Sequence, residues 1–553
     1  MNRNRARSLV VAMAAGLLAA AAALAGGGEA ATGFTILQVN DTYKIEGLRA
    51  GELGGFARLR TLRREVEAEG REVLVLHAGD LLFPSVMSKY LAGAPMVAAL
   101  NLLDGADGFD DRLLVGFGNH EFDAKDPRVL FARLGESRFG WLSADVAYRL
   151  DGMAAPVPFA GHAPNVAATA LLDLGGIRVG VFGSTLPADP RPWAIYADLD
   201  QRVAAARAAV AELRARGAEW IVALTHQELG DDLLLAERVA GIDWIVGGHE
   251  HVAIERRVGT TGITKADADA RTAVRIDVER TAAGLAARHR FVELGAAVDP
   301  DPEMLGEVAR WLVRLDAAVF ERTGRRLLAP VATTEHVLEG VEPAIRGRET
   351  ALGDFLADIL RDRLTTDFAI VNGGSIRVND DVPAGGTVRV YELEGIFYYD
   401  NRPVAFELTG AELLELLRKS VSGAALGHGR FLQVSGIRFR YRARAAPEGE
   451  TTSVEAGDVE VRPRGALDSR PLELDRRYTV ATLDWLLDNG CRDGYPIFSS
   501  GCGGASPARL ERPELSWRGI TEEAIANLPG HRITARIDER IVRVEETVSG
   551  GVE

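Results

Sequence analysis

The stretch LLVGFGNHEFD, residues 113–123, joins an apolar run to an amide, an imidazole and two carboxylates. The apolar part is typical of a buried strand, and Gly118 allows the chain to turn so that Asn119 and His120 project into one site. Asp123, three residues past His120, is placed to hold the second ring nitrogen and to favour the protonated imidazole. The stretch therefore predicts a buried strand of an α/β fold that ends at a functional site.

Other apolar stretches of the first half also end in a residue that can bind a metal ion. These residues are Asp41, Asp80, His226 and the pair His249 and His251. Each one alone is more often a turn former or a helix cap. Together, at the sheet edge where active sites of α/β proteins lie, they predict a dinuclear divalent-metal centre. His249 and His251 alternate on an extended segment, so both can face one site.

Length and composition restrict the class of protein. The chain has 553 residues, of which 47% are hydrophobic and 26% charged, which favours a globular protein of two domains. The formal net charge of −15 excludes a nucleic-acid polymer as the expected partner. An acidic protein can still bind small phosphates where divalent cations supply positive charge.

The N-terminus, residues 1–25, is predicted to be a cleaved signal peptide. Arg3, Arg5 and Arg7 precede an apolar run that ends in the cleavage site Ala23-Leu24-Ala25. A membrane anchor is the alternative, but the run is short, rich in alanine and followed by glycine. Loss of three arginines takes the charge from −15 to −18. We therefore expect a periplasmic or secreted protein with no membrane span after cleavage.

Export to an oxidising compartment would allow the two cysteines to form a disulfide. Cys491 and Cys502 are the only cysteines, and their short separation favours a disulfide over two free thiols. Two cysteines cannot form a cysteine-rich zinc site. Any metal must therefore use His, Asp, Asn or Glu.

The pattern of apolar runs divides the chain. Residues 32–297 alternate apolar runs with helical patterns and predict a sheet covered by helices. The segment AAVDPDPEML, residues 296–305, breaks that pattern, and a connecting helix is predicted within a linker over 298–329. A mixed α+β domain follows over 330–540, with RRYTVATLDWLL (476–487) as one strand. A flexible tail is predicted over 541–553.

Ordered motifs in both halves resemble a known family. They are ND (40–41), GD (79–80), GNHEFD (118–123), TH (225–226), GGHEH (247–251), RGRETALGDFLADIL (346–360), VNGGSIR (371–377), FYYDN (397–401) and DWLLDNGCRDGYPIF (484–498). They resemble the calcineurin-like metallophosphoesterases and, more narrowly, the secreted 5′-nucleotidase family. The resemblance implies an N-terminal four-layer α/β/β/α sandwich and a C-terminal α+β domain that binds substrate.

The resemblance also implies roles for the metal ligands. Asp80 would bridge two divalent ions, which could be Mn, Zn, Co, Mg or Fe. Asn119, His226 and His249 would complete one site, and Asp41 and His251 the other. Two such cations clamp an in-line displacement and supply hydroxide for attack on the phosphoester. His120, supported by Asp123, would stabilise charge in the transition state.

Further residues would bind substrate. Arg346 and Arg377 would grip phosphate, although surface ion pairs are the alternative and Arg348 is an equally near candidate. The resemblance implies that Asn372, Gly373 and Gly374 bring the backbone close to the ligand. Tyr399 and Trp485 would stack on the two faces of a base, with Asn401 nearby. Asp493 would bind a ribose hydroxyl.

Two features depart from the family pattern. Tyr43 stands where the family commonly has histidine, so either a phenolate binds metal or one site is poor in ligands. The motif WLLDNGCRDGY is longer than the usual one, and Tyr399 stands where Phe is commoner. These departures affect the choice of substrate rather than the class of reaction.

The resemblance predicts an exported, metal-dependent phosphoesterase that releases phosphate and nucleoside from a nucleotide or a related small phosphoester. Two alternatives remain open on the same fold. One is a thiosulfohydrolase of sulfur oxidation, and the other is a nucleotide-binding protein with an impaired metal site. No feature of the sequence indicates an oligomeric state.

Overall fold

The computed structural model describes residues 33–187, 191–446, 449–511 and 513–545. The predicted signal peptide lies outside these residues. Across the described ranges, no helix has both the length and the apolar character needed to cross a bilayer.

The N-terminal half contains two large sheets that both carry parallel strands, and a small antiparallel sheet of β5, β6 and β10. The seven-stranded sheet has the order β16-β15-β1-β2-β3-β4-β7, and the six-stranded sheet has the order β13-β14-β12-β11-β9-β8. The strands of this half are β1 (Gly33–Val39), β2 (Glu72–His77), β3 (Asp110–Gly116), β4 (Phe139–Leu142), β5 (Val146–Tyr148), β6 (Val157–Pro158), β7 (Val166–Ala167), β8 (Thr169–Leu174), β9 (Ile177–Thr185), β10 (Ala194–Tyr196), β11 (Trp220–His226), β12 (Trp244–Gly248), β13 (Ile254–Val258), β14 (Thr261–Lys265), β15 (Thr272–Thr281) and β16 (Gly284–Glu293).

The two sheets pack face to face and helices cover their outer faces. Ile36, Leu76 and Leu114 of the first sheet meet Val181 and Val222 of the second in one buried apolar cluster. The helices of this half are α1 (Phe56–Ala68), α2 (Val86–Leu91), α3 (Ala94–Leu100), α4 (Pro127–Glu136), α5 (Leu199–Ala215) and α6 (Leu229–Arg238). The first four pack on the seven-stranded sheet and the last two on the six-stranded sheet. The predicted four-layer sandwich is confirmed.

A long helix, α7 (Pro302–Thr323), follows the sandwich. Asp301 caps its N-terminus by accepting from the backbone N–H groups of Glu303 and Met304, and Gly324 ends it in a left-handed conformation. Its buried face, which includes Met304 and Leu315, joins the apolar core under α1, α2 and α3. The connecting helix is therefore packed on the N-terminal domain.

The C-terminal half is mixed α+β. Its central sheet has the order β20-β26-β18-β21, beside a sheet β23-β22-β24-β25 and a sheet β19-β17-β27. The strands are β17 (Pro330–Thr334), β18 (Phe368–Asn372), β19 (Thr387–Arg389), β20 (Pro403–Thr409), β21 (Leu432–Ser435), β22 (Ile437–Ala446), β23 (Gly449–Ser453), β24 (Val459–Val461), β25 (Arg470–Pro471), β26 (Arg477–Leu483), β27 (Arg532–Ile533) and β28 (Ile541–Glu545). The helices are α8 (Glu342–Ile345), α9 (Ala351–Leu364), α10 (Val390–Ile396), α11 (Gly410–Val421), α12 (Asp484–Asn489) and α13 (Trp517–Ala526).

Two predicted elements differ from the structure. The strand predicted over 476–487 ends at Leu483, because Asp484 begins α12 and its carboxylate accepts from the backbone N–H of Arg402. The tail predicted to be flexible from 541 was also placed too early, since β28 pairs in parallel with β22. That pairing satisfies the backbone of 541–545; residues 546–553 lie outside the described ranges.

Cys491 and Cys502 form a disulfide with their Cα atoms 6.4 Å apart. The bridge closes the loop that follows α12. It joins two short helical turns, at Gly490–Asp493 and Ser500–Cys502.

Asp354 in α9 is a buried carboxyl group, 1% exposed, that lies beside the carboxyl groups of Glu349 and Asp538. Burial raises its pKa to about 9, although Arg540 opposes the shift. The Nε of Arg540 is 3.5 Å from one carboxyl oxygen. Asp354 is therefore protonated in the folded protein at neutral pH.

Because Asp354 takes up a proton on folding, the free energy of unfolding should depend on pH. Asp354→Asn should remove this dependence. An unfolded Asp has a pKa of about 3.9, so the stabilisation that Asp354 contributes is complete below that pH and is lost as the pH rises through 9. Urea unfolding of both proteins between pH 5 and 8.5 should give free energies that diverge by up to about 1.4 kcal/mol per pH unit. A difference that does not change with pH would contradict the assignment.

Candidate metal and substrate site

The predicted metal ligands lie where the carboxyl ends of both sheets meet. Asp41 follows β1, Asp80 follows β2, and His226 ends β11. Because β1, β2 and β3 run parallel, as do β9, β11 and β12, their ends converge at one edge. Gly118 allows the close approach, since a Cβ there would lie 2.2 Å from Asp80 Oδ1.

Tyr43 lies at the centre of the first group of ligands. Its phenolic oxygen is 3.2 Å from Asp41 Oδ1, 3.1 Å from Asp80 Oδ2 and 3.1 Å from His251 Nε2. The four side chains are buried. Tyr43 is thus placed among the oxygen and nitrogen donors and not on a neighbouring surface.

The second group is built on His226. Its Nδ1 lies 2.7 Å from the carbonyl oxygen of Ala78, which accepts a hydrogen bond from the Nδ1–H group. The Nε2 atom therefore faces the site. That Nε2 is 3.3 Å from Asp80 Oδ2 and 3.1 Å from Asn119 Oδ1. Asp80 therefore contacts both groups, which is the arrangement expected of a bridging carboxylate.

His249 is held differently from the other predicted ligands. Its ring centre is 5.4 Å from that of His226, and its Nε2 lies 3.6 Å from Glu228 Oε1. Its backbone N–H donates to Asp41 Oδ2 over 3.0 Å. His249 is adjacent to the cluster, with its outer nitrogen beside a carboxylate that sequence reasoning missed.

The donor set fits divalent cations. Spacings of 3.1–3.3 Å between donors suit atoms that each lie about 2.0–2.2 Å from one ion. Burial opposes ionisation of Asp41, but the polar contact with His251 and the charge of His226 outweigh it and lower its pKa to about 2. Asp80 is likewise held ionised, with a pKa below the usual range, since His226 and His120 outweigh its burial. Two buried carboxylates this close require positive charge between them.

The pKa of Tyr43 is raised well above 10 by burial, with Asp80 and Asp41 adding to the shift. Its phenol is therefore neutral unless a strongly polarising ion lies against it. Burial also lowers the pKa of His251 to about 3, against the pull of Asp41, so this imidazole is neutral and able to ligate.

His120 lies at the rim of the cluster with Asp123 behind it. Its Nδ1 is 2.8 Å from Asp123 Oδ2, and its Nε2 is 4.0 Å from Asp80 Oδ2. Burial would lower the pKa of His120, but Asp123 and Asp80 outweigh it and raise the pKa. The structure therefore brings together the two residues that the sequence paired, and it favours the imidazolium.

Arg346 and Arg377 enter the site from the C-terminal domain. The Nη2 of Arg377 is 3.5 Å from His120 Nε2. Both arginines contact the buried carboxylate of Glu342, at 3.0 Å from Arg377 Nη1. Arg348 instead pairs with Glu339 over 2.6 Å at the surface, so the structure favours Arg346 over Arg348 as the inward arginine.

The glycine-rich turn after β18 packs on its own domain. The N–H groups of Gly373 and Gly374 donate to the carbonyl oxygens of Phe431 and Gly429. Asn372 is buried and accepts from the hydroxyl of Ser375. These hydrogen bonds hold the turn against the segment that precedes β21.

Tyr399 and Asn401 line a cavity of about 440 Å³, together with Phe397, Arg402 and Arg518. The guanidinium of Arg377 lies 5.8 Å from the Tyr399 ring centre, which connects this cavity to the metal edge. Trp485 is half-buried against the apolar core of the C-terminal domain and does not line the cavity. The backbone carbonyl of Asp493 accepts from Arg430.

Comparison with known proteins identifies both halves. Residues 34–253 match the calcineurin-like phosphoesterase family, and residues 330–500 match the 5′-nucleotidase C-terminal domain. The chain belongs to the 5′-nucleotidase family. Members of these families are metal-dependent phosphoric ester hydrolases, and this chain is one of them.

Individual relatives agree with that assignment. The chain is 26% identical to the trifunctional nucleotide phosphoesterase YfkN of Bacillus subtilis over 92% of its own length, and it spans 35% of that relative. The 5′-nucleotidase precursor of Thermus thermophilus superposes with a TM-score of 0.72 at 25% identity, over 93% of this chain and 100% of that one. The sulfate thiohydrolase SoxB of the same organism has a TM-score of 0.65 at 20% identity, over 92% and 96%, and shares the fold.

Glu121 is a second residue of this 5′-nucleotidase-family site that sequence reasoning missed, although it lies inside the GNHEFD motif. Its carboxylate is fully buried and accepts from the backbone N–H groups of Asp80, Leu81 and Leu82, at 3.0, 2.7 and 2.9 Å. It also accepts from the N–H of Gly118. One carboxylate thus fixes the loops that carry Asp80 and Asn119.

We expect Glu121→Gln to destabilise the protein by about 2–3 kcal/mol, because an amide N–H₂ would face backbone donors that now share a carboxylate. Urea unfolding measures the loss. Glu67→Gln is the matched control: Glu67 pairs with Arg63 on α1 and its side chain is 41% exposed, so a change within about 0.5 kcal/mol is expected. Equal losses in the two variants would contradict the role of Glu121.

Proposed function

We propose that this hydrolase is exported, binds two divalent cations and hydrolyses 5′-nucleotides to nucleoside and phosphate. The observation that carries the proposal is the position of Arg377, whose guanidinium faces His120 at the rim of the carboxylate and histidine cluster. An anion-binding side chain of the C-terminal domain thus lies beside the expected reaction centre of the N-terminal domain. The arginine-rich N-terminal run supports export.

The chemistry of two cations matches the residues present. When bound, two divalent ions supply Lewis acidity that activates water and neutralises charge on a phosphoryl group. Asp41, Tyr43, Asp80 and His251 would hold one ion. Asp80, Asn119, His226 and His249 would hold the other. The protein's part is to fix these donors at the meeting of the two sheets.

His120 would hold a proton at Nε2 and donate it as a hydrogen bond to an oxygen of the phosphoryl or leaving group. Asp123 orients the ring by accepting from Nδ1. The raised pKa of His120, set by Asp123 and Asp80 against its burial, keeps that proton in place. Arg346 and Arg377 would bind phosphate oxygens, and a planar base would stack on Tyr399 in the adjoining cavity, with Asn401 beside it.

A thiosulfohydrolase activity is the second candidate, and the resemblance to SoxB concerns the fold alone. The match of residues 330–500 to the 5′-nucleotidase C-terminal domain favours nucleotides. A panel of nucleoside monophosphates, cyclic nucleotides, UDP-sugars and protein-bound sulfur substrates separates the two. Release of sulfate from the last group, with no phosphate from the others, would overturn the proposal.

Asp80→Asn tests the metal-dependent mechanism. Loss of the carboxylate shared by both donor groups should lower phosphate release by about a hundred- to a thousand-fold, because single electrostatic groups in active sites contribute about 10²–10³ in rate. Phosphate release from AMP with added Mn²⁺ is the measurement, and thermal unfolding checks that the variant is folded. Asp111→Asn, on the exposed face of β3, is the control. Turnover retained by a folded Asp80→Asn protein would contradict the mechanism.

Tyr43 is proposed as a ligand of the first ion, and iron reports on it directly. A phenolate bound to iron should give a visible charge-transfer absorption that Tyr43→Phe abolishes. Tyr478→Phe is the control, since that hydroxyl accepts from Glu473 N–H in the C-terminal domain and should leave the colour unchanged. An active wild-type protein loaded with iron(III) that shows no such colour would identify Tyr43 as a bystander.

A further inference from the structure

Glu342, at the start of α8, is a buried carboxylate whose two oxygens serve two domains. It is 3% exposed. Its Oε1 contacts Arg346 and lies 3.0 Å from Arg377 Nη1, both within the C-terminal domain. Its Oε2 contacts Nδ1 of His251, which belongs to the N-terminal domain. One side chain therefore joins the two halves of the proposed site.

The contact with His251 sets the orientation of that ring. His251 Nε2 lies 3.2 Å from Asp41 Oδ1 and 3.1 Å from the Tyr43 hydroxyl, on the metal side. A carboxylate against Nδ1 favours the tautomer with its proton on Nδ1, in which the Nε2 lone pair faces the donor group. A carboxylate behind a ligating histidine is a common device for fixing its tautomer and raising its affinity for metal.

The contacts with the arginines set their direction. Arg377 uses Nη1 for Glu342 and turns Nη2 toward His120. Two buried guanidinium groups repel each other, and the carboxylate between them offsets that repulsion. Glu342 thus holds one side of Arg377 and leaves the other directed at the rim of the metal cluster.

We infer that Glu342 is a positioning residue that couples the metal centre to the anion site. It orients His251 toward the first cation and directs Arg346 and Arg377 toward substrate phosphate through its own contacts with these side chains. The inference deepens the proposed function and rests on its assignment of a metal site and a phosphate site.

Other contacts hold the two domains together without touching His251. Asp380 of the C-terminal domain pairs with Lys44 over 3.3 Å and accepts from the backbone N–H of Arg49. Tyr391 donates to Glu46. Asp380→Asn should therefore weaken docking while it leaves the carboxylate behind His251 in place. This variant therefore distinguishes the effect of Glu342 on His251 from the effect of losing another interdomain contact.

A rival explanation is that Glu342 blocks the phosphate site, with its carboxylate in the place of a substrate phosphate. The two explanations predict opposite effects of Glu342→Gln on anion binding. A positioning role requires weaker binding of inorganic phosphate by the variant. A blocking role requires tighter binding.

The test is the affinity of the full-length apoprotein for Mn²⁺, measured by competition with a chelator, for wild type and Glu342→Gln. We expect binding about 10–100-fold weaker in the variant, the range typical for loss of such a carboxylate. Glu339→Gln, which affects only the surface pair with Arg348, should match wild type. Inorganic phosphate should bind the Mn²⁺-loaded variant more weakly than it binds wild type.

Three results would overturn the inference: unchanged Mn²⁺ affinity in Glu342→Gln, tighter phosphate binding, or an equal loss of Mn²⁺ affinity in Asp380→Asn. Thermal unfolding of the apoproteins checks that each variant is folded. If Glu342→Gln does not fold, Glu342→Asp keeps the charge but shortens the reach to His251, and the same loss of Mn²⁺ affinity is expected. Because metal and phosphate binding are measured without turnover, failure to hydrolyse nucleotides would contradict the proposed function alone.

Discussion

The close approach of Asp41 and Asp80, both buried, is the constraint on which the rest of the site depends. A single phenolic oxygen lies within hydrogen-bonding distance of both carboxylates, so their negative charges are only a few ångströms apart in a dry interior. Such a pair is unfavourable unless cations or hydrogen-bond donors surround it. The surrounding residues meet that requirement: His226 and His251 face the carboxylate oxygens, and backbone N–H groups of His120 and His249 donate to them.

The sandwich makes that concentration of charge possible. Parallel strands of two stacked sheets end at one edge, so ligands separated by up to 210 positions in sequence converge there. Asp41, Asp80 and His249 all adopt positive φ angles, of 52°, 56° and 87°, which turn the chain sharply at the strand ends. Residues other than glycine rarely adopt such angles, and the strain is maintained by the packed sheets behind them.

Much of this architecture could be predicted from the sequence because its signals are local. Apolar runs that end in Asp80 or His226 identify the strands, and the ordered motifs identify the family. Glu342 could not be found in this way, since nothing local distinguishes an acidic residue one helical turn before Arg346 from a surface ion pair. Its contact with His251 depends on how two domains dock. The surroundings of the two aromatic residues predicted to stack on the base also depend on the fold. Tyr399 lines the cavity, whereas Trp485 packs on the apolar core of the C-terminal domain.

The two domains therefore do not contribute separable parts of the site. The loop after β1 carries Asp41 and Tyr43, and the same loop is held by Asp380 and Tyr391 of the C-terminal domain. Arg377 reaches His120, and Glu342 reaches His251. Any rotation between the domains would break charged contacts on both sides of the metal edge at once. The order of the metal ligands and the presentation of the arginines are thus properties of one docked arrangement, in which buried charges of the two domains compensate each other.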